Sequence, residues 1–187
     1  MSGRNFLLIF MTIFVLLLGY PSACLSAGIP ATGDLFPSED LKIPDDEVYI
    51  SYLGLDGSKD TFKLQDIKAD LAVVQIFSMY CPVCQREAEE VNNLFWLMEQ
   101  RAVDDKVKLI GIAPGNSDFE VSVFREQYDI PFPLIADADY EWHKIMGEVG
   151  TPYFLLVNLE NRIILEDSLG PFGTSQDYFE LIMKHLQ

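Results

Sequence analysis

A short apolar run, Leu71-Ala72-Val73-Val74-Gln75-Ile76-Phe77, ends just ahead of Cys81-Pro82-Val83-Cys84, and a helical pattern starts at the second cysteine. No other feature constrains the fold as tightly. The run is brief and rich in β-branched residues, which is how a buried strand of a parallel sheet reads. Beyond it, Cys84, Ala88, Val91, Phe95 and Met98 fall on one face of a helix extending to about Arg101. Pro82 suits the first helical position because it has no N–H to leave unpaired. The cysteine pair therefore sits where a strand gives way to a helix, with Cys81 just outside the helix and Cys84 one turn in, on the buried face. A buried strand feeding an amphipathic helix in this way predicts one α/β domain.

At that position orphan backbone N–H groups and the helix dipole favour an anion. The anion on offer is the Cys81 thiolate, the species that attacks disulfides, and Cys84 is placed to resolve the resulting mixed disulfide. Other readings compete. A passive disulfide would close so short a loop that it removes little chain entropy. Structural zinc needs four ligands, and the only histidines, His143 and His185, are far apart without ligand spacing. Cu(I) held by Cys81, Cys84 and His143, as in a copper-binding chaperone, is an alternative because soft thiolates suit that ion. Haem attachment is excluded, since Gln85 rather than His follows the second cysteine. A peroxiredoxin-like peroxidase is a further alternative: Ser78 precedes Cys81 in a Ser-x-x-Cys pattern, although Val74 stands where such sites carry proline.

The chain has 187 residues with 49% hydrophobic side chains, enough for one domain and a terminal extension. Lys and Arg number 13 against 29 Asp and Glu, for a formal net charge of −16, which excludes a nucleic-acid binder and a polybasic grip on anionic lipid. The acidic surface serves solubility or steers basic partners. Residues 1–27 read as a signal peptide: a start charged by Arg4, an apolar run from Phe6 to Leu18, and the small-residue tail Ser22-Ala23-Cys24-Leu25-Ser26-Ala27. Ser22-Ala23-Cys24 also matches the tail of a bacterial lipoprotein signal, so Cys24 is a candidate lipid attachment site and a membrane tether at the N-terminus stays open. Residues 28–46, with Pro30, Pro37 and Pro44, read as an extended linker ahead of a domain over residues 47–187. Within it, Val48–Leu53 and Thr61–Leu64 are predicted as a β-hairpin around Asp56-Gly57, and Val107–Ile112 and Phe132–Ile135 as strands. Val121, Phe124 and Tyr128 mark a helix face, and Tyr140–Glu148 a further helix. Tyr153–Asn158 and Arg162–Asp167 are predicted as strands joined at Glu160-Asn161, and Phe179, Ile182, Met183 and Leu186 line a terminal helix.

Phe77-Ser78-Met79-Tyr80-Cys81-Pro82-Val83-Cys84, the segment Phe132-Pro133-Leu134-Ile135-Ala136-Asp137 and Gly150-Thr151-Pro152 ahead of a strand carry a resemblance. Over roughly residues 35–187 the sequence resembles the TlpA/ResA-like extracytoplasmic thiol–disulfide oxidoreductases of the thioredoxin superfamily. That resemblance implies a thioredoxin-like α/β fold, a central mixed sheet flanked by helices, with an N-terminal β-hairpin extension. It implies that Pro152 is cis and faces the cysteines, that Thr151 presents backbone groups to a substrate strand, and that Glu87 relays a proton near Cys84. The simpler reading of Glu87 is a charge favoured by the helix dipole. Gln75 stands where cytosolic relatives carry a buried acid. Tyr80 replaces the usual Trp before the first cysteine and is either a substrate contact or a packed aromatic, Phe77 replaces an earlier Trp, and Glu89 replaces a helix-kinking proline. The implied activity is exchange with protein thiols and disulfides, with reductant as the favoured direction. The implied partners are a membrane dithiol electron donor and apocytochromes as one class of substrate, in the bacterial periplasm. No cofactor is implied beyond the redox-active Cys81–Cys84 disulfide.

Overall fold

Side chains alternate across Leu71–Ile76, so one strand feeds two cores, one on each face of a central sheet. The computed structural model describes residues 28–186; the expected signal peptide and lipid attachment at Cys24 lie outside the described residues. The strands are β1 (Leu41–Lys42), β2 (Thr61–Phe62), β3 (Leu71–Ile76), β4 (Val107–Pro114), β5 (Leu134–Asp137), β6 (Tyr153–Asn158) and β7 (Ile164–Leu169). The helices are α1 (Glu47–Leu53), α2 (Pro82–Gln100), α3 (Asp118–Tyr128), α4 (Glu141–Ile145) and α5 (Ser175–His185). The main sheet runs β5-β4-β3-β6-β7, with β3, β4 and β5 parallel and with β6 antiparallel to both β3 and β7. The expected mixed sheet flanked by helices is what forms. Leu71, Val73 and Phe77 pack against the buried stripe of α2, which includes Ala88, Val91, Phe95 and Met98. Ala72, Val74 and Ile76 face the other way, towards Trp142, Met146 and the N-terminal segment.

The N-terminal region departs from expectation in two respects. Val48–Leu53, expected as the first arm of a hairpin, is the helix α1. Its start is capped by Asp46, whose carboxylate accepts the Val48 N–H at 2.8 Å, and Gly54 closes it in the left-handed region at φ 67°. Those start and stop signals outweigh the strand preference of Val48 and Ile50. The strand at Thr61–Phe62 does form, but its antiparallel partner is Leu41–Lys42, so the N-terminal extension is a two-stranded sheet with a helix inserted between its arms. Residues 28–46, expected as a linker, are laid onto the body. Phe36 and Leu41 are fully buried, and Gly33 and Phe36 donate backbone hydrogen bonds to Ile164 and Arg162 at 2.8 and 2.7 Å. The prolines keep this segment extended, and its sparse apolar residues still reach the core.

Smaller shifts concern boundaries. The strand expected at Phe132–Ile135 begins at Leu134, the one expected at Arg162 begins at Ile164, and the helix expected to reach Glu148 ends at Ile145.

Candidate active site

The antiparallel register pairs Ile76 with Tyr153, which sets the start of β6 beside the chain leaving β3. Residues 78–81 and residues 150–152 therefore meet at one end of the sheet. Cys81 is the N-cap of α2, in extended conformation, with Pro82 at the first helical position. Its sulfur accepts the backbone N–H of Cys84 at 3.2 Å and its thiol donates to the carbonyl of Thr151 at 3.3 Å. The Thr151–Pro152 peptide bond is cis. Cys81, Cys84, Thr151 and Pro152, all expected at the site from the sequence, are brought together.

The two thiols are free and unequal. Cys81 is partly exposed and Cys84 is fully buried. Partial burial opposes ionisation of Cys81, but hydrogen bonds from the Cys84 thiol, the Thr151 side chain and the N–H groups of Cys84 and Val83 outweigh it, holding Cys81 below the ordinary thiol range. Burial, reinforced by the neighbouring Cys81 sulfur, pushes Cys84 up to about 12. Such a pair can form a mixed disulfide at the outer sulfur and close an internal disulfide from the inner one.

Side chains that carry no sequence signal hold the approach to Cys81. Asn116, fully buried after β4, accepts the Met79 N–H at 2.8 Å and donates from Nδ2 to the Ser78 hydroxyl at 3.4 Å. Gln85 donates from its side chain to the Met79 carbonyl at 2.7 Å. Neither residue is legible as part of a site, because a polar residue after a strand or in a first helical turn has many ordinary uses. Ser78, which a peroxidatic site would aim at the cysteine, instead accepts the Tyr80 N–H at 3.3 Å besides its contact with Asn116. Tyr80 is 64% exposed, so its alternative reading as a packed core aromatic is corrected; its hydroxyl donates to Glu120.

Glu87 lies one helical turn beyond Cys84, and the first turn of α2 holds no acidic residue. The dipole reading of Glu87 is therefore weak, since that effect fades within the first turn. Its Oε2 is sealed from solvent without a hydrogen-bond partner. Burial and the neighbouring Glu90 raise its pKa, opposed by the Phe172 backbone and Arg86. Where Glu89 replaces the kinking proline, α2 runs without a break from Pro82 to Gln100. Gln75 is buried in β3. The copper constellation does not assemble. His143 Nε2 lies 3.0 Å from the Val149 carbonyl, and among the described residues no three His, Cys, Asp or Glu side chains converge where a metal ion could sit.

Residues 33–164 match the AhpC/TSA family. The thiol-disulfide oxidoreductase ResA of Bacillus thuringiensis subsp. konkukian is 26% identical over 112 residues, covering 60% of this chain and 61% of the relative. The chain thus spans about three fifths of the length of that curated relative. Among solved structures, the thioredoxin domain of a thiol-disulfide oxidoreductase from Bacteroides vulgatus superposes with a TM-score of 0.60 at 15% identity, covering 84% of this chain and 99% of that one. StoA from Bacillus subtilis gives a TM-score of 0.57 at 20% identity, covering 82% of this chain and 99% of that one. These structural likenesses bear out the thioredoxin-like fold, and the sequence matches bear out the expected resemblance to TlpA/ResA-like proteins.

Proposed function

The chain belongs to the AhpC/TSA family, and from that premise we propose that it is a dithiol–disulfide oxidoreductase working on protein thiols through Cys81 and Cys84. The observation that carries this reading is the inequality of the two sulfurs: one partly exposed and favoured as an anion, the other buried beside it with its ionisation disfavoured. The Cys81 thiolate attacks one sulfur of a substrate disulfide, forming a mixed disulfide and releasing the first substrate thiolate. Cys84 then loses its proton and attacks the Cys81 sulfur, and the second substrate thiol leaves. Two electrons pass to the substrate, and a dithiol donor reduces the Cys81–Cys84 disulfide. Thr151 and Pro152 line the approach and offer backbone groups to an extended substrate segment, with Tyr80 beside it.

Burial disfavours the Cys84 thiolate, so the second step is helped by a base that takes its proton. Glu87, with a buried unpartnered oxygen one turn away, is our candidate for that proton relay. Glu87→Gln is expected to leave the first attack intact and slow closure of the internal disulfide by about 10²-fold, read by stopped-flow quench and mass spectrometry of the mixed disulfide. Equal closure rates would remove Glu87 from the mechanism.

Within this reading the protein acts as a reductant outside the cytoplasm, fed by a membrane dithiol carrier, with apocytochrome thiols as one substrate class and no cofactor besides its own cysteines. The resemblance supports the direction, and the pattern over residues 1–27 supports export; among the described residues no helix is long and apolar enough to cross a membrane. A reduction potential nearer −270 mV than −120 mV, on the scale of about −270 mV for thioredoxin and about −120 mV for a strong oxidant, is the expected result.

The direct test is alkylation of the reduced protein by iodoacetamide as a function of pH. A lowered thiol pKa means that the anion is already populated where free cysteine is mostly neutral. The rate is therefore expected to rise with pH along a titration whose midpoint lies below the value of about 8.5 typical of free cysteine, with one thiol modified and Cys84 spared. A midpoint at or above that value would sink the reading.

A further inference from the structure

Three exposed aromatic side chains gather around the loop that delivers the nucleophile: Tyr80 at 64% exposure, Phe119 at 75% and Tyr140 at 48%. Their placement is built. The Tyr80 hydroxyl donates to Glu120, whose other carboxylate oxygen accepts the Ser117 N–H and hydroxyl at 2.7 Å each, closing the capping box of α3. Phe119 immediately precedes Glu120 in the first turn of that helix. Tyr140 lies over Gly115, which sits in the left-handed region at φ 66° and where an added Cβ would come within 2.1 Å of the tyrosine hydroxyl, so a side chain at this position would be strained and would displace the ring. Between the two anchors, Asn116 grips Met79. One short segment, residues 115–120, thus ties all three rings to the loop ahead of Cys81.

The same rim is acidic. Asp118, Asp139 and Glu141 are exposed around it, and among the described residues side-chain ion pairs reach only Asp45, Asp118 and Glu166. The chain as a whole carries −16. Asp118 is paired with Lys42 at 3.2 Å and Lys144 reaches the Asp139 carbonyl at 3.3 Å, but Asp139 and Glu141 have no side-chain ion pair among the described residues. Exposed rings bordered by these carboxylates match a segment that is itself apolar and cationic, because rings cover hydrophobic stems and stack on guanidinium groups, and the carboxylates steer positive charge. Because Tyr80 is already held by Glu120, docking against it freezes little side-chain freedom.

We propose that Tyr80, Phe119 and Tyr140 form a specificity surface that selects extended, positively charged polypeptide segments with an aromatic or aliphatic side chain next to the reacting cysteine. The inference rests on the thiol-exchange reading and names the substrate class of the same site.

The test uses two hexapeptides, each carrying its cysteine as a mixed disulfide with thionitrobenzoate, whose release is coloured. One has Lys and Phe beside the cysteine, the other Glu and Ser. Reduced protein is expected to react with the first about 10-fold faster at low salt, with the preference shrinking as ionic strength rises. Each rate is also divided by the rate with bis(2-hydroxyethyl) disulfide, a small neutral disulfide that needs no docking surface. In the double variant Phe119→Ser with Tyr140→Ser, that ratio is expected to fall several-fold for the first peptide and to stay level for the second. Equal rates for the two peptides, or an unmoved ratio in the variant, overturn the surface while leaving the exchange chemistry standing. Failure of the unaltered protein to react with the small disulfide overturns the exchange reading, and the surface with it.

Discussion

Cys81→Ser is expected to lower the rate of protein-disulfide reduction by at least about 10³-fold, to the level of the reductant alone, because a hydroxyl does not ionise enough at neutral pH to attack sulfur. The helix-start geometry that favours a Cys81 anion has no thiolate to act on in that variant. Cys84→Ser is expected to fail differently. The first attack survives, since Cys81 keeps the backbone N–H of residue 84 and its contact with Thr151. Resolution does not follow, so a covalent adduct accumulates to one equivalent and stays visible in non-reducing electrophoresis and intact mass. The two variants together assign the order of attack. Turnover by Cys84→Ser, or adduct formation through Cys84 in the Cys81→Ser protein, would reverse the assignment.

What the sequence discloses here depends on how local the signal is. The junction at Cys81 is written in adjacent residues: a buried strand, a proline at the first helical position and an apolar stripe at helical spacing, and the structure reproduces each of them. The meeting of Cys81 with Thr151 and Pro152 is not local, and it was legible only through the family resemblance; physically it follows from the register of β3 with β6. The N-terminal region misled for the opposite reason. Val48 and Ile50 are good strand residues, yet Asp46 and Gly54 bracket them as a helix. The proline-rich stretch before them looks like a spacer because only a few of its side chains are apolar, and those few, Phe36 and Leu41, are fully buried. Asn116 and the Tyr80–Glu120 contact left no trace in the sequence pattern. Their importance lies in partners 37 and 40 residues away.

Phe77 marks where the buried strand turns into the active-site loop, and replacing it is expected to cost more stability than any surface change. Its ring is fully buried and meets Phe124 at 4.9 Å between centroids. The space for it exists because residue 111 has no side chain: a Cβ there would lie 3.0 Å from the Phe77 ring and 2.6 Å from Leu134. The Phe77 N–H continues the sheet ladder to Ile112 at 3.0 Å, so the backbone stays anchored when the ring is removed and cannot collapse into the hole. Phe77→Ala is therefore expected to cost about 3–5 kcal/mol, and Phe77→Leu less, about 1–2 kcal/mol, measured by urea unfolding of the reduced protein. Gly111→Val attacks the same contact from the other side, forcing a side chain into occupied space, with an expected cost of about 1–3 kcal/mol. Combining Gly111→Val with Phe77→Leu separates packing from backbone effects: if the two side chains compete for one volume, the double variant loses less than the two single losses added together. Simple additivity would mean that the ring and the glycine are not sharing that space.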